Sequence, residues 1–306
     1  MALQLLPQLH GVLVVNKPKG PSSNRCLMQI KHLGQRKLGH AGTLDPMAEG
    51  VLIVLLGQAT KISSYLLQGG GKVYSGTLRL GVTTDTYDSE GTVLSEASID
   101  GVTEEMVADD IRSWVSVTEQ TVPPYSAAKL SGQPLYRLAR RGTMVSRTKS
   151  IQISQAELIS CELPFVRFRV ACSSGTYIRS LAHSLGTRLH CGAVLTELTR
   201  EYSYPFGLEE AVRLDALLAN PALLVRGLRP IREALPDWPC LTVPSMWVPQ
   251  VMQGKSIPAR SLEAHETDAT HCILMQDNCE LALATRDDTA ESVWKVTRGL
   301  WNAETL

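Results

Sequence analysis

The chain has 306 residues, 44% of them apolar and 20% charged, which supplies a sizeable core and excludes a highly charged disordered chain. Thirty Lys and Arg balance thirty Asp and Glu, so global basicity is not an argument for nucleic-acid binding. The longest apolar run, Val51–Leu56, falls far short of the roughly 20 residues of a transmembrane helix. The first residues carry no basic segment ahead of their apolar ones, so no signal peptide is expected. Seven scattered cysteines without a C-x-x-C pair speak against a disulfide scaffold or structural zinc and fit a reducing cytoplasm.

In chain order, Gly11–Asn16 reads as a short buried strand broken by Pro18, Gly20 and Pro21. Ser22 and Ser23 are placed to cap a helix through Leu27, Ile30 and Leu33. Gly39–Gly50 (GHAGTLDPMAEG) has the composition of a loop and leads into Val51–Leu56, a strand buried on both faces. Gln58–Gln68 is predicted helical. Val73–Leu80 alternates, with Tyr74, Leu78 and Leu80 on its apolar face. Thr103–Trp114 is a helix capped by Thr103, and Pro134–Arg141 a basic helix stopped by Gly142. Val166–Cys172 alternates again, and Thr176–Leu189 is an amphipathic helix. After a Pro-rich stretch around residue 240 come three short β-like runs, Cys272–Met275, Leu281–Thr285 and Ser292–Thr297. Strands and helices mix without a regular βαβ period, so the predicted class is α+β. The expected division is 1–240 and 241–306, with a chain ending near 240 expected to fold by itself.

The zero net charge is a sum of unlike parts. Residues 1–49 carry net +4, 50–128 net −6, 129–200 net +8 and 201–306 net −6. Two basic blocks folded together would form a face for a polyanion; as separate solvated surface they would bind nothing.

Asp45 stands between Leu44 and Pro46, and the proline restricts it to extended backbone angles. A turn aspartate holding backbone N–H groups and a catalytic carboxylate both fit this placement. Arg179, in CSSGTYIR, falls in the first turn of its helix, where a cation opposes the helix dipole, so an anionic partner would explain it. Tyr74 reads either as core or as a surface on which a base stacks. Phosphate-loop, nucleophile-elbow and zinc-protease motifs are all lacking.

Six segments in order resemble the TruB family of tRNA pseudouridine synthases: GVLVVNKPKG (11–20), GHAGTLDPMAEG (39–50), KVYSGTLRLG (72–81) followed by Thr84, Asp85, Thr86 and Asp88, VPPYSAAK (122–129), SGTYIR (174–179) and GAVLTELTR (192–200). The resemblance implies a mixed, mainly antiparallel catalytic sheet with a small β-rich, PUA-like C-terminal unit. It implies isomerisation of uridine to pseudouridine at position 55 in the T loop of tRNA, by base flipping, without a metal or cofactor. Asp45 matches the catalytic aspartate and Arg179 its partner, expected as a two-pronged clamp. Tyr74 matches the tyrosine stacked on the target base, and His40 the histidine filling the space the base leaves. Tyr177 and Leu198 match residues lining the uracil pocket; Lys17, with Pro18, matches a motif supporting the catalytic loop. The partner implied is the tRNA T arm, with no membrane and no obligate protein partner, and a monomer is expected. A guide-RNA-dependent synthase of dyskerin type, an RNA chaperone on the same fold and an aspartate-dependent glycoside hydrolase are the alternatives.

Overall fold

The computed structural model describes residues 6–126, 128–130, 132–135, 137, 141, 147–262, 268–287 and 292–301. The basic helix expected over 134–141 lies mostly outside the described residues.

Strand β1 (Gly11–Lys17) leads to helix α1 (Ser23–Lys31), capped as expected by Ser22, whose side chain accepts from Arg25 N. β2 (Leu38–Ala41) and β3 (Ala48–Leu56) follow, then α2 (Ser63–Gln68) and β4 (Gly71–Leu80). The predicted helix over 58–68 is divided: Gly57–Ile62 is a tighter 3-10 helix, and only the second part is α. α3 (Glu104–Ser113) carries the Thr103 cap. β5 (Ile153–Glu162) and β6 (Phe165–Ser173) form a hairpin, and α4 (Ile178–Arg188) precedes β7 (Ala193–Ser203) and the short β8 (Val212–Arg213). These strands form one sheet in the order β5-β6-β4-β7-β3-β1-β8. Neighbours are antiparallel except β7 with β3 and β1 with β8, so the sheet is mixed and mainly antiparallel. A second sheet holds β9 (Cys240–Thr242), β10 (Ile257–Pro258), β11 (His271–Gln276), β12 (Cys279–Asp287) and β13 (Val293–Gly299), ordered β9-β11-β12-β13-β10.

The period of two along β1 and β3 sorts their side chains into two cores. Leu13, Val15, Leu52, Val54 and Leu56 face a first core closed by Cys26, Leu27 and Ile30 of α1 and by Leu181, Ala182 and Leu185 of α4. Val12, Val14, Val51, Ile53 and Leu55 face the other way. That second core is closed by Ala59, Ile62 and Leu66, by Ile231, Ala234 and Leu235, and by Ile273, Met275, Leu283 and Leu300 from the C-terminal sheet region. β11 alternates likewise: Ile273 and Met275 meet the large sheet, while Cys272 and Leu274 face a third core with Leu241, Val251 and Trp294. A continuous apolar run in β3 is thus explained by two covered faces, and the C-terminal sheet shares one of those cores.

Candidate active site

Part of the segment 39–50 is strand. β2 continues through Ala41, β3 begins at Ala48, and the turn between them is residues 42–47. His40 therefore lies on a strand, where a loop was expected. The extended ends arise because β2 pairs with β3 from Leu38↔Leu56 to Ala41↔Ile53, which satisfies their backbone groups.

The turn is fastened from below. Lys17, fully buried at the end of β1, donates from Nζ to the carbonyls of Pro18 (2.9 Å), Pro21 (2.7 Å) and Pro46 (3.3 Å). Burial holds its pKa below the ordinary lysine value. Ser23 Oγ donates to Leu44 O (2.9 Å) and accepts from Leu44 N (2.8 Å), pairing the residue before Asp45 in both directions. Gly20 N donates to Pro46 O at 2.8 Å.

Asp45 meets Arg179. Arg179 Nε donates to Asp45 Oδ2 at 2.9 Å; the arginine side chain is 4% exposed and the aspartate 36%. The expected two-pronged clamp is not what forms. Nη1 donates to Thr86 O (2.7 Å) and lies 3.4 Å from Asp88 Oδ2, while Nη2 donates to Tyr125 O (3.0 Å). Because α4 brings in the Nε edge towards Asp45, the terminal nitrogens are taken by backbone carbonyls. Asp45 Oδ1 accepts no hydrogen bond from the described residues. Asp88 is itself buried and fixed, accepting from Thr86 Oγ1 (2.6 Å) and Glu90 N (3.1 Å) at Oδ1. A cation in the first turn of α4 is offset by these two carboxylates, as its position near the helix dipole suggested.

Asp45 opens into a cavity of about 450 Å³ lined also by Tyr74, Tyr177, Ile178, Arg179 and Leu198. Five of the seven residues singled out from sequence thus line one cavity. Tyr74 is buried on β4, and burial pushes its phenol above the ordinary range, with Arg200 opposing. Tyr177, at the head of α4, is likewise pushed up by burial. Its backbone is bracketed by one side chain: Gln120 Nε2 donates to Tyr177 O and Gln120 Oε1 accepts from Tyr177 N. Lys72, Arg147 and Lys149 also line the cavity, so its walls carry four cations with Arg179 against the carboxylate of Asp45. Arg147, Lys149 and Arg179 come from the basic block 129–200, whereas residues 1–49 contribute Asp45 and no cation.

Lys17 and His40 do not line the cavity. Lys17 acts from beneath. His40 is half-buried, its Nδ1 has no hydrogen-bond partner, and burial together with the Arg200 charge keeps the imidazole pKa low. Sequence reasoning passed over Asp88, Gln120, Lys72 and Arg200 as site residues. Asp88 stood within a quoted segment, but only the folded chain brings it to Arg179, and a lone Gln120 carries no sequence signal.

Three comparisons place the chain. Residues 30–178 match the family described as TruB family pseudouridylate synthase (N terminal domain). The chain is 56% identical over 308 residues to the tRNA pseudouridine synthase B of Oleidesulfovibrio alaskensis, covering 99% of this chain and 100% of that one. It is 53% identical over 307 residues to the tRNA pseudouridine synthase B of Nitratidesulfovibrio vulgaris Miyazaki F, with 98% and 100% covered. Among solved structures, an H/ACA RNP bound to a substrate RNA containing 2'-deoxyuridine matches with TM-score 0.70 at 23% identity, over 96% of this chain and 86% of that one. A Cbf5-Nop10-Gar1 complex matches with TM-score 0.69 at 23% identity and the same coverage; these two show the fold. With the aspartate–arginine cavity in place and near-full-length identity above one half, the chain belongs to the TruB family of pseudouridylate synthases.

Proposed function

We propose that the protein isomerises uridine to pseudouridine at position 55 in the T loop of tRNA, with Asp45 as the catalytic residue. The observation that carries this reading is the Asp45 carboxylate. Arg179 holds it by one oxygen, and its other oxygen accepts from no donor among the described residues, in a cavity walled by Tyr74 and Leu198 and rich in cations. A target base is unreachable while stacked, so it is flipped into such a pocket. Tyr74 and Leu198 then supply faces for the uracil ring, and Tyr177 a further wall. The N1–C1′ bond breaks, the uracil turns in place, C5 bonds to C1′, the C5 proton is lost and N1 gains one. Nothing is added or removed overall, so the chemistry requires a positioned carboxylate and a closed pocket. His40, behind the turn on β2, fits the role of filling the gap left by the flipped base.

The reading extends to residues 1–240 as the catalytic unit and 241–306 as a PUA-like RNA-binding unit, and to a cytoplasmic monomer without an obligate protein partner. The relatives at 53–56% identity favour the tRNA substrate over the guide-RNA alternative. The test is to map pseudouridine in unmodified tRNA before and after incubation with the purified protein. A new pseudouridine confined to position 55 is the expected result. No modification of bare tRNA, or modification elsewhere, rejects the reading.

A further inference from the structure

Behind the glycine that opens the catalytic turn stand two buried cations. Arg200, on β7, is fully buried. Its Nε donates to Val51 O (2.7 Å) and its Nη2 to Gly42 O (2.9 Å), whereas its Nη1 is buried without a hydrogen-bond partner. Lys72, on the adjacent β4, is 8% exposed, and its Nζ donates once, to Ser174 Oγ at 3.2 Å. Neither forms an ion pair with a carboxylate among the described residues. The two charges converge. A Cβ built on Gly42 would lie 3.0 Å from Lys72 Nζ and 3.4 Å from Arg200 Nη1, and Gly42 has a φ of +79°. A side chain at this position would crowd both cations; Gly42 and Lys72 line the cavity, and Arg200 lies directly behind them.

Two like charges buried side by side without a counter-ion cost folding free energy. The strain is legible in Lys72, whose pKa falls to about 8, first through burial and then through Arg200, with Lys149 adding to the fall and Cys172 opposing it. An arrangement so unfavourable in the empty protein suits an anion that arrives with the substrate.

We infer that Lys72, backed by the buried charge of Arg200, forms an anion subsite of the cavity, which takes a backbone phosphate oxygen of the RNA beside the target uridine. The inference rests on the RNA-isomerase reading above. On such a substrate the full negative charges are the phosphodiesters. A uracil carbonyl is satisfied by a neutral donor and does not call for two buried cations. The subsite holds the backbone at one point while Tyr74 and Leu198 hold the base, which sets the ribose between them against Asp45.

The test pairs protein and RNA changes. T-arm RNAs are made in which single phosphodiesters around the target uridine become uncharged methylphosphonates, and each is bound to wild-type protein, Lys72→Met and Lys72→Arg. One linkage next to the target is expected to weaken wild-type binding roughly tenfold or more and to leave Lys72→Met nearly unchanged. Lys72→Met is also expected to flatten the log–log salt slope by roughly 0.7–0.9, the share of one phosphate contact, and Lys72→Arg to restore most of it. Arg200→Lys, which keeps a buried cation, is expected to lose part of the same coupling. Equal effects of every linkage in wild type and Lys72→Met, or unchanged affinity in Lys72→Met, overturns the subsite and leaves the pair a structural one. Wild-type protein that binds with this coupling yet forms no pseudouridine overturns the functional reading and not the subsite.

Discussion

Arg179 divides its donors between the Asp45 carboxylate and three anchors, Asp88 and the carbonyls of Thr86 and Tyr125. Its position is therefore set independently of Asp45, so Asp45 can be replaced without dismantling the wall. Asp45→Asn is expected to abolish pseudouridine formation and to keep tRNA affinity within a few-fold, because phosphate contacts hold the RNA. Single-turnover assays beside a binding titration check it, and appreciable turnover by a verified pure variant rejects the assignment. Lys72 gives a prediction of a different kind. Its folded pKa of about 8 lies below its ordinary value of 10.5, so between those two pH values the unfolded chain binds the extra proton. Stability therefore rises with pH through that window, and below pH 8 the buried ammonium destabilises the fold in full. Relative to wild type, Lys72→Met is expected to be more stable at pH 7, by an amount of order 3 kcal/mol. That difference should shrink from pH 8 towards 10.5, as read by denaturant unfolding. A pH-independent difference would mean that the ammonium is not the source.

At the scale of elements, the Asp45 turn is a short link between two paired strands, and its shape depends on what lies under it. β1 delivers Lys17 to three carbonyls and α1 delivers Ser23 to Leu44, so two elements from the N-terminal segment fix the residues on either side of Asp45. Replacing Lys17 by Met takes the lysine donor from the half-buried carbonyls of Pro18 and Pro21, while Pro46 O keeps Gly20 N. The expected stability loss is on the order of 1 kcal/mol after allowing for relief of the lysine's own burial. The saturated rate should fall as the turn relaxes, while tRNA affinity changes little. Thermal unfolding and single-turnover rates measured on the same preparation separate the two effects, and an unaltered rate would show that the turn keeps its shape without the lysine.

At the scale of the molecule, the C-terminal sheet does more than extend a surface. Ile273, Met275, Leu283 and Leu300 close the core under β1 and β3, Glu280 accepts from Ile231 N and Arg232 N, and Gln58 Nε2 donates to Trp301 O at 2.9 Å. Burial of four such side chains is worth about 1.5–3 kcal/mol each, comparable in sum to the whole stability of an ordinary domain. A chain cut at residue 240 is therefore expected to lose cooperative unfolding or to aggregate, against the expectation from sequence that it folds by itself. Circular dichroism melts of the cut chain decide between the two. The cations of the cavity give the second prediction at this scale. Despite zero net charge, tRNA affinity is expected to fall steeply with salt, with a slope of roughly 0.7–0.9 per phosphate engaged. A flat titration would mean that these cations do not meet the RNA backbone.

Local patterns were enough for the strands and for the reactive pair as candidates. The alternation of Val73–Leu80 and Val166–Cys172, the Ser22 and Thr103 caps and the Asp45–Pro46 turn each express a preference that a few neighbouring residues impose on their own backbone. The paired ends of segment 39–50 escaped such reasoning because glycine-rich composition reports turn capacity, and only β3 alongside made Leu38–Ala41 a strand. The single-nitrogen contact of Arg179, the Asp88 anchor, the convergence of Lys72 and Arg200 on Gly42 and the core shared with the C-terminal sheet were decided by tertiary structure. Each joins groups tens to hundreds of residues apart, and its geometry depends on how helix and strand axes cross, which no local pattern encodes.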